Sequence, residues 1–327
     1  MTARSPAAQF LSCDWGTSAF RLHLVEAVSG KSLASVASPE GIGGVHQAWR
    51  AAGPGAVREK CFLRVLRDQV AKLAVTTGQS MEGLPLVISG MVTASIGLRE
   101  IPYKEMPFDL NGSDLRVERL DPQPEGFGPV LLVSGARTAD DAMRGEEIQI
   151  VGAIALGAER NALFVLPGTH SKHVSVDGSW AIDLRTYMTG EFFELLTRRS
   201  ILANSIEEGA ADDLPGADSA FTDGVLAGAT ENLLHTSFGV RVAELCGRRS
   251  RTAGFHYLSG LVVGAELREL REHPAKVVVL VGSPGLTSRY LRALRALGHT
   301  SALTVFAAER AVIAGQRIVA ERAGLFT

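Results

Sequence analysis

The sequence is poor in the features that assign a protein quickly. It has three cysteines in 327 residues, and Cys13, Cys61 and Cys246 are widely spaced with apolar neighbours. That is neither a disulfide framework nor a zinc pattern, so a reducing cytoplasm is the expected compartment. No apolar run approaches the roughly 20 residues that cross a bilayer, and the first nine residues lack the apolar core of a signal peptide. No membrane partner is therefore expected. Charge of one sign is scarce as well: 33 Lys and Arg against 35 Asp and Glu leave a net charge of −2. A nucleic-acid binder would show a basic face, so no nucleic-acid partner is expected, and Arg248-Arg249-Ser250-Arg251 reads as a solvated loop. A G-x-G-x-x-G dinucleotide fingerprint is missing too. The glycine-rich stretch Glu40-Gly41-Ile42-Gly43-Gly44-Val45 reads as a loop, either flexible or approached closely by some other group.

What is present is material for a large core. Hydrophobic residues make up 46% of the chain and charged residues 21%, which excludes a disordered polymer and suits one very large domain or two medium ones. The stretch Phe10-Leu11-Ser12-Cys13-Asp14-Trp15-Gly16-Thr17-Ser18, followed by Ala19 to Val25, reads as a buried strand, a tight turn and a returning strand. Successive N–H groups in such a turn form a concave anion site, and glycine lets the backbone approach a ligand. Asp14, at the strand's end, is suited to hold magnesium through water, because hard cations take oxygen ligands. The design repeats almost half a chain later. Leu163-Phe164-Val165-Leu166 is a strand, Pro167-Gly168-Thr169-His170 a turn, and Ser171 to Val176 a returning strand. Leu166 replaces the acid, so only the first copy supplies a carboxylate.

Further strands and helices follow in order. Ser32 to Ser38 is a third strand, and Phe62 to Ala74 carries apolar residues at helical spacing. Leu86 to Met91 is an apolar strand whose end, Ser89-Gly90-Met91, is a candidate binding edge, since ligands collect beyond strand carboxyl ends. Ile101 to Pro107 is a proline-punctuated loop in which Tyr103 and Lys104 face a ligand or simply solvent. Pro129 to Gly135 is another buried strand. A polar turn follows it, and a helix is expected to begin near Thr138–Asp141. Asp140 or Asp141 is then either a helix cap or a carboxylate placed to accept a hydroxyl proton. Lys276 to Val281 is the most strand-like run, and its Gly282-Ser283-Pro284-Gly285 turn into a helix suits a ribose and adenine or a ligand-free connection. Gly260 and Gly264 allow close helix packing.

Two phosphate-cradling hairpins in two halves resemble the plan of the sugar-kinase/actin/hsp70 superfamily. The resemblance implies an α/β fold of two ribonuclease-H-like domains of the actin-like ATPase/sugar kinase type, with a nucleotide cleft between them. The boundaries expected are 1–150 and 151–327, with the last helix placed to pack back on the first domain. Further motifs narrow the likeness: Cys13 to Ser18, Ser89-Gly90-Met91, Ile101-Pro102-Tyr103, Met143-Arg144-Gly145-Glu146-Glu147, Leu166 to Lys172, and Tyr187-Met188-Thr189-Gly190-Glu191. These fall in the order seen in 2-keto-3-deoxygalactonate kinases. Tyr257 to Leu261 and Gly282-Ser283-Pro284 extend the match over roughly residues 10 to 322. The resemblance implies ATP and Mg2+ as cofactors and phosphorylation of the 6-hydroxyl of 2-dehydro-3-deoxy-D-galactonate.

By the same resemblance, Asp14, Gly16, Thr17 and Ser18 face the phosphates and magnesium. Gly168, Thr169 and His170 grip them from the second half, and Gly282, Ser283 and Pro284 lie near the nucleoside. Ser89, Gly90, Met91, Tyr103, Lys172 and Glu191 fall to the sugar acid. Asp141 is the expected base, with Asp140 its rival, and Lys104, Lys172, Arg144 and Arg185 are the cations considered for the substrate carboxylate. Three alternatives stay open: a same-fold kinase for another acid such as 2-dehydro-3-deoxygluconate, a non-catalytic sugar sensor, and an actin-like scaffold. The sensor would carry a helix-turn-helix extension, and only nine residues stand ahead of the first strand, which weighs against that alternative. Oligomeric state, including a homodimer, stays open.

Overall fold

A computed structural model describes residues 9–326 apart from 122 and 272. The strands and helices run in the order β1 (Gln9–Trp15), β2 (Phe20–Glu26), β3 (Lys31–Ser38), α1 (Ile42–Ala51), α2 (Arg58–Thr77) and β4 (Leu86–Gly90). Short strands follow: β5 (Lys104–Glu105), β6 (Phe108–Asp109), β7 (Val117–Arg119), β8 (Val130–Val133), β9 (Ala136–Arg137) and β10 (Ala142–Met143), then α3 (Glu146–Ala155). The later elements are β11 (Ala162–Leu166), β12 (Ser171–Asp177), β13 (Trp180–Tyr187), α4 (Thr189–Arg199), α5 (Ala217–Thr230), α6 (Leu233–Leu245) and α7 (Arg251–Leu267). The chain closes with β14 (Val277–Gly282), α8 (Pro284–Ala296), β15 (Ala302–Ala307) and α9 (Ala308–Arg322).

These elements divide into two units. The first holds the chain up to Arg160, the hairpin Ser175–Leu184 and everything from Phe306 onward; the second holds Asn161–Val174 and Arg185–Val305.

In the first unit the sheet order is β3-β2-β1-β4-β8-β7. The strand β1 runs antiparallel to β2 and parallel to β4, so its carboxyl end lies beside that of β4, with Asp14 opposite Ser89 and Trp15 opposite Gly90. Phe10, Leu11, Cys13 and Trp15 are buried, as a central strand covered on both faces requires. Trp15, Phe20 and Phe62 meet at ring separations of 4.9 and 5.7 Å, which ties α2 to the sheet. On the opposite side α9 packs on α3, where a side chain at Gly152 would overlap the Ala311 carbonyl and one at Gly315 the Ile148 carbonyl. Beside this, Trp180 and Ala181 pair with Asp109 and Phe108.

The second unit holds β11, β14, the first half of β12 and most of β15, which lie side by side in the order β12-β11-β14-β15. Its helical layer rests on a glycine crossing. Side chains at Gly224 and Gly228 of α5 would overlap the carbonyls of Tyr257 and Leu261, and side chains at Gly260 and Gly264 of α7 those of Phe221 and Val225. The two helices therefore touch through their backbones.

Two expectations are corrected. The stretch 40–45 is not a loop throughout: α1 begins at Ile42, although two glycines in its first turn cost about 1 kcal/mol each in helix propensity. Tertiary hydrogen bonds override that cost. The segment at Thr138–Asp141 does not start a helix. The Thr138 hydroxyl accepts from the amides of Asp140 (3.2 Å) and Asp141 (3.0 Å), and the Thr138 amide donates to the Asp141 carbonyl (2.9 Å). That side-chain turn closes the β9–β10 hairpin, an alternative to helix that threonine offers its own backbone. The helix starts after Gly145, with Glu146 and Glu147 as the acids of its first turn.

No helix among the described residues is long and apolar enough to cross a membrane. Replacing Gly260 with Val should force α5 and α7 apart at a cost of about 1–3 kcal/mol or more. A melting curve should show a drop of several degrees; an unchanged Tm would mean the crossing relaxes freely.

Candidate active site

The first turn is built by backbone alone. The Gly16 amide donates to the Ala19 carbonyl (2.9 Å), closing the β1–β2 hairpin. The carbonyls of Gly16 and Thr17 then accept from the amides of Ile42 and Gly43, both at 3.0 Å, so the turn's oxygens cap α1. A side chain at Gly41 would overlap Thr17 and Ser18, which is why the chain can come this close. Among the described residues the Thr17 and Ser18 amides have no backbone acceptor, and both residues are exposed.

Asp14 sits at the foot of this turn, part-buried, with Arg21 at 3.1 Å. Burial pushes its carboxyl above the ordinary aspartate value, and the Arg21 guanidinium opposes that rise. Gly90 lies directly beside it. A β-carbon at Gly90 would stand 2.7 Å from the Trp15 carbonyl and 3.4 Å from Asp14 Oδ1, and its φ of +92° also favours glycine. Ser89 is fully buried, and its hydroxyl accepts from Gln316 Nε2 (2.8 Å), which also donates to the Cys13 carbonyl (2.8 Å). Ser89 thus braces the strand ends from within, and Met91 opens a half-buried turn beyond them.

The stretch after β10 adds to this corner. A β-carbon at Gly145 would lie 3.2 Å from Gly90 Cα. The Gly145 amide donates to Glu147 Oε2 (2.7 Å), while Glu147 is completely buried and its Oε1 has no partner. Burial, with the Glu146 charge adding to it, pushes the Glu147 carboxyl up to about 8. Arg144 lies with its guanidinium 4.0 Å over the Tyr103 ring, and its Nη1 donates to the Thr93 carbonyl and hydroxyl, both at 2.6 Å. Asp141 is part-buried in the hairpin turn, where its Oδ1 accepts from the Ala142 amide (2.8 Å). Asp140 is exposed.

The second unit builds its turn in the same way. The Thr169 carbonyl accepts from the Glu191 amide (3.0 Å), and a β-carbon at Gly190 would stand 2.5 Å from the Gly168 carbonyl. The start of α4 therefore rests on this turn as α1 rests on the first. Thr169 and His170 are exposed, and His170 Nε2 meets Glu191 Oε2 at 2.5 Å. Beneath them a buried carboxylate gathers donors. Glu266 takes the Tyr290 hydroxyl (2.6 Å) and the Thr189 hydroxyl on one oxygen and His173 Nε2 (2.9 Å) on the other, while Ser171 meets Tyr290 at 2.9 Å. Lys172 is buried, with its ammonium 2.8 Å from the Thr186 hydroxyl. A β-carbon at Gly282 would lie 3.6 Å from Pro167, which sets the β14–α8 turn beside the Gly-Thr turn, with Ser283 and Pro284 exposed at the start of α8.

Within the first unit the structure thus gathers Asp14, Gly16, Thr17, Ser18, Gly90 and the 144–147 stretch. Within the second it gathers Gly168, Thr169, His170, Glu191 and Gly282 to Pro284. Sequence reasoning passed over Thr93, Glu147, Glu266 and Gln316, whose roles depend on distant partners. The close approach that the 40–45 glycines suggested is met at Gly41 against Thr17 and Ser18, while the matching role of Gly190 against Gly168 was not read.

No group of three or more metal-ligating side chains occurs among the described residues. A single part-exposed carboxylate at Asp14 fits magnesium, which is held by one or two carboxylates while water and substrate phosphates complete its shell.

Relatives define the class first: this is a kinase on a mixed α/β fold. The 2-dehydro-3-deoxygalactonokinase of Escherichia coli strain K12 is 33% identical over 255 residues, which covers 75% of this chain and 82% of the relative. Residues 14–319 match the family model described as 2-keto-3-deoxy-galactonokinase, and the chain belongs to that family. A solved Sinorhizobium meliloti structure assigned to 2-dehydro-3-deoxygalactonokinase covers 96% of both chains, with a TM-score of 0.77 and 29% identity. The (R)-2-hydroxyglutaryl-CoA dehydratase component A of Acidaminococcus fermentans shares the fold alone, with a TM-score of 0.52 and 10% identity over 97% of this chain and 99% of that one.

The buried Glu147 generates a pH prediction. Its carboxyl titrates near 4.5 ordinarily and near 8 when folded. Between those values the folded state binds more protons than the unfolded one, so this group makes stability fall as pH rises. Glu147→Gln mimics the neutral form and should remove that slope. Wild type and variant should match near pH 4, below the ordinary carboxyl value, and the variant should be more stable by about 3–5 kcal/mol above pH 8. Parallel urea-denaturation curves at the two pH values would refute the assignment.

Proposed function

We propose that the protein transfers the γ-phosphoryl group of ATP to the 6-hydroxyl of 2-dehydro-3-deoxy-D-galactonate. What carries the reading is the match of residues 14–319 to one kinase family. We further propose that both six-stranded sheets are ribonuclease-H-like, a reading supported by the orders β3-β2-β1-β4-β8 and β13-β12-β11-β14-β15 that recur in them.

The roles follow from chemistry. Phosphoryl transfer needs positioning and charge neutralisation more than covalent help. The amides of Thr17 and Ser18 are donors for phosphate oxygens, and the nearby N-terminus of α1 adds positive potential. Gly168, Thr169 and His170 take phosphate contacts, and Gly282, Ser283 and Pro284 take the nucleoside. Asp14 would hold the Mg2+ that arrives with ATP, which supplies neutralisation of phosphate charge. Asp141 orients the attacking hydroxyl and accepts its proton. Its position in a tight hairpin next to the Arg144–Glu147 stretch supports that role over the exposed Asp140.

A panel of sugar acids assayed by ADP release tests the substrate. The galactonate-derived keto acid should give the highest kcat/KM, and faster turnover of the gluconate-derived isomer would replace it. Asp141→Asn should lower kcat by about 10²- to 10⁴-fold while the Tm holds. Asp14→Asn should chiefly raise the KM for MgATP. An inactive Asp140→Asn beside an active Asp141→Asn would move the base to Asp140.

A further inference from the structure

Resting on the reading above, we infer that Arg144 is the anchor for the substrate's carboxylate, held ready by Thr93 and Tyr103 with the Nε–Nη2 edge of its guanidinium left for the ligand. The Thr93 carbonyl and hydroxyl both accept from Nη1 at 2.6 Å, which occupies one corner of the fork. Its Cζ lies over the Tyr103 ring, 4.0 Å from the ring centroid. Two hydrogen bonds and a stacked face fix the plane of the group. Yet its Nε is buried and has no acceptor. A buried N–H of a cation left without a partner costs more than a neutral one, and such groups in native structures ask for an explanation. A carboxylate supplies it, because its two oxygens match the Nε–Nη2 edge as parallel hydrogen bonds.

The other cations considered for this task are already engaged. Lys104 pairs with Asp114 at 3.0 Å, Arg185 with Glu269 at 2.8 Å, and Lys172 is buried against Thr186. Arg144 also adjoins Gly145, whose close approach to Gly90 links it to the corner occupied by Asp14. The fork therefore belongs to the same unit as the proposed base. A ligand recognised here is a carboxylic acid rather than a neutral sugar.

The test compares the sugar acid with its C1 carboxamide, which keeps the shape and loses the charge. The readout is the ratio of the inhibition constant of the amide to the KM of the acid. Arg144→Lys keeps a charge but loses the fork, and should shrink that ratio at least about 30-fold. Tyr103→Leu leaves the guanidinium in place and removes its stacking face; it should shrink the ratio about 2- to 5-fold and serves if the first variant does not fold. A role in stability alone would weaken acid and amide together and leave the ratio intact. An unchanged ratio in both variants, with the wild type preferring the acid, overturns the assignment of Arg144 while the activity stands. A wild type that phosphorylates the acid but shows no preference for it over the amide overturns the carboxylate anchor alone, and an acid that is not phosphorylated overturns the activity.

Discussion

Each Gly-Thr turn is held in place by a contact that involves no side chain. The carbonyls of Gly16 and Thr17 accept the first amides of α1, and the Thr169 carbonyl accepts the Glu191 amide at the start of α4. Both contacts exist because Gly41 and Gly190 carry no β-carbon. The consequence is geometric. With the turn's oxygens directed into the helix start, the remaining turn amides are left as donors. In the first turn their positions are set by backbone hydrogen bonds, while in the second the Gly168 amide also donates to the Ser171 hydroxyl (3.4 Å). A site that recognises phosphate by N–H groups needs that kind of preorganisation, because donors already aimed at the charge need no rearrangement when it arrives.

The two units secure these turns from below by different chemistry. In the first, a neutral amide does it: Gln316 of α9 reaches the Cys13 carbonyl and Ser89, tying β1 to β4 next to Asp14. In the second, a buried carboxylate does it, with Glu266 drawing Tyr290, Thr189 and His173 together. A buried carboxylate is tolerable only when its lone pairs are filled, and Glu266 has a donor on each oxygen. The difference matches the strand ends they support. The first ends in Asp14, where another buried charge would repel the carboxylate; the second ends in Leu166, where no such conflict arises.

The elements that were legible in the sequence are those whose signal is local. Strands such as Val277–Gly282 are continuous apolar runs, and the paired hairpins announce themselves by repetition. Gly260 and Gly264 were read as a close-packing face, and the structure places them against α5. Where sequence reasoning failed, a non-local contact or a side chain's hydrogen bond to its own backbone decided the outcome. Gly43 and Gly44 argue against helix, yet the carbonyls of Gly16 and Thr17 draw the chain into one from Ile42. Asp140 and Asp141 look like helix-capping acids until the Thr138 hydroxyl takes their amides. For the site, Asp14 and the turn residues were visible as a motif. Glu147 was hidden within Gly-Glu-Glu, because nothing local says which of two adjacent acids is buried.

That burial has a consequence for the charge of the corner. Glu147 reaches Gly145, Gly145 touches Gly90, and Gly90 touches Asp14, so the two acids are separated by little more than two glycines. Burying Glu147 completely raises its pKa to about 8 and keeps it neutral through most of the physiological range. The acid beside the first turn is Asp14, whose carboxyl burial pushes up while the Arg21 guanidinium opposes that rise. The neutral Glu147 still holds the Gly145 amide, and through it the bend that presents Arg144. One buried acid thereby helps to set the position of the part-buried Arg144 in the corner that also holds Asp14.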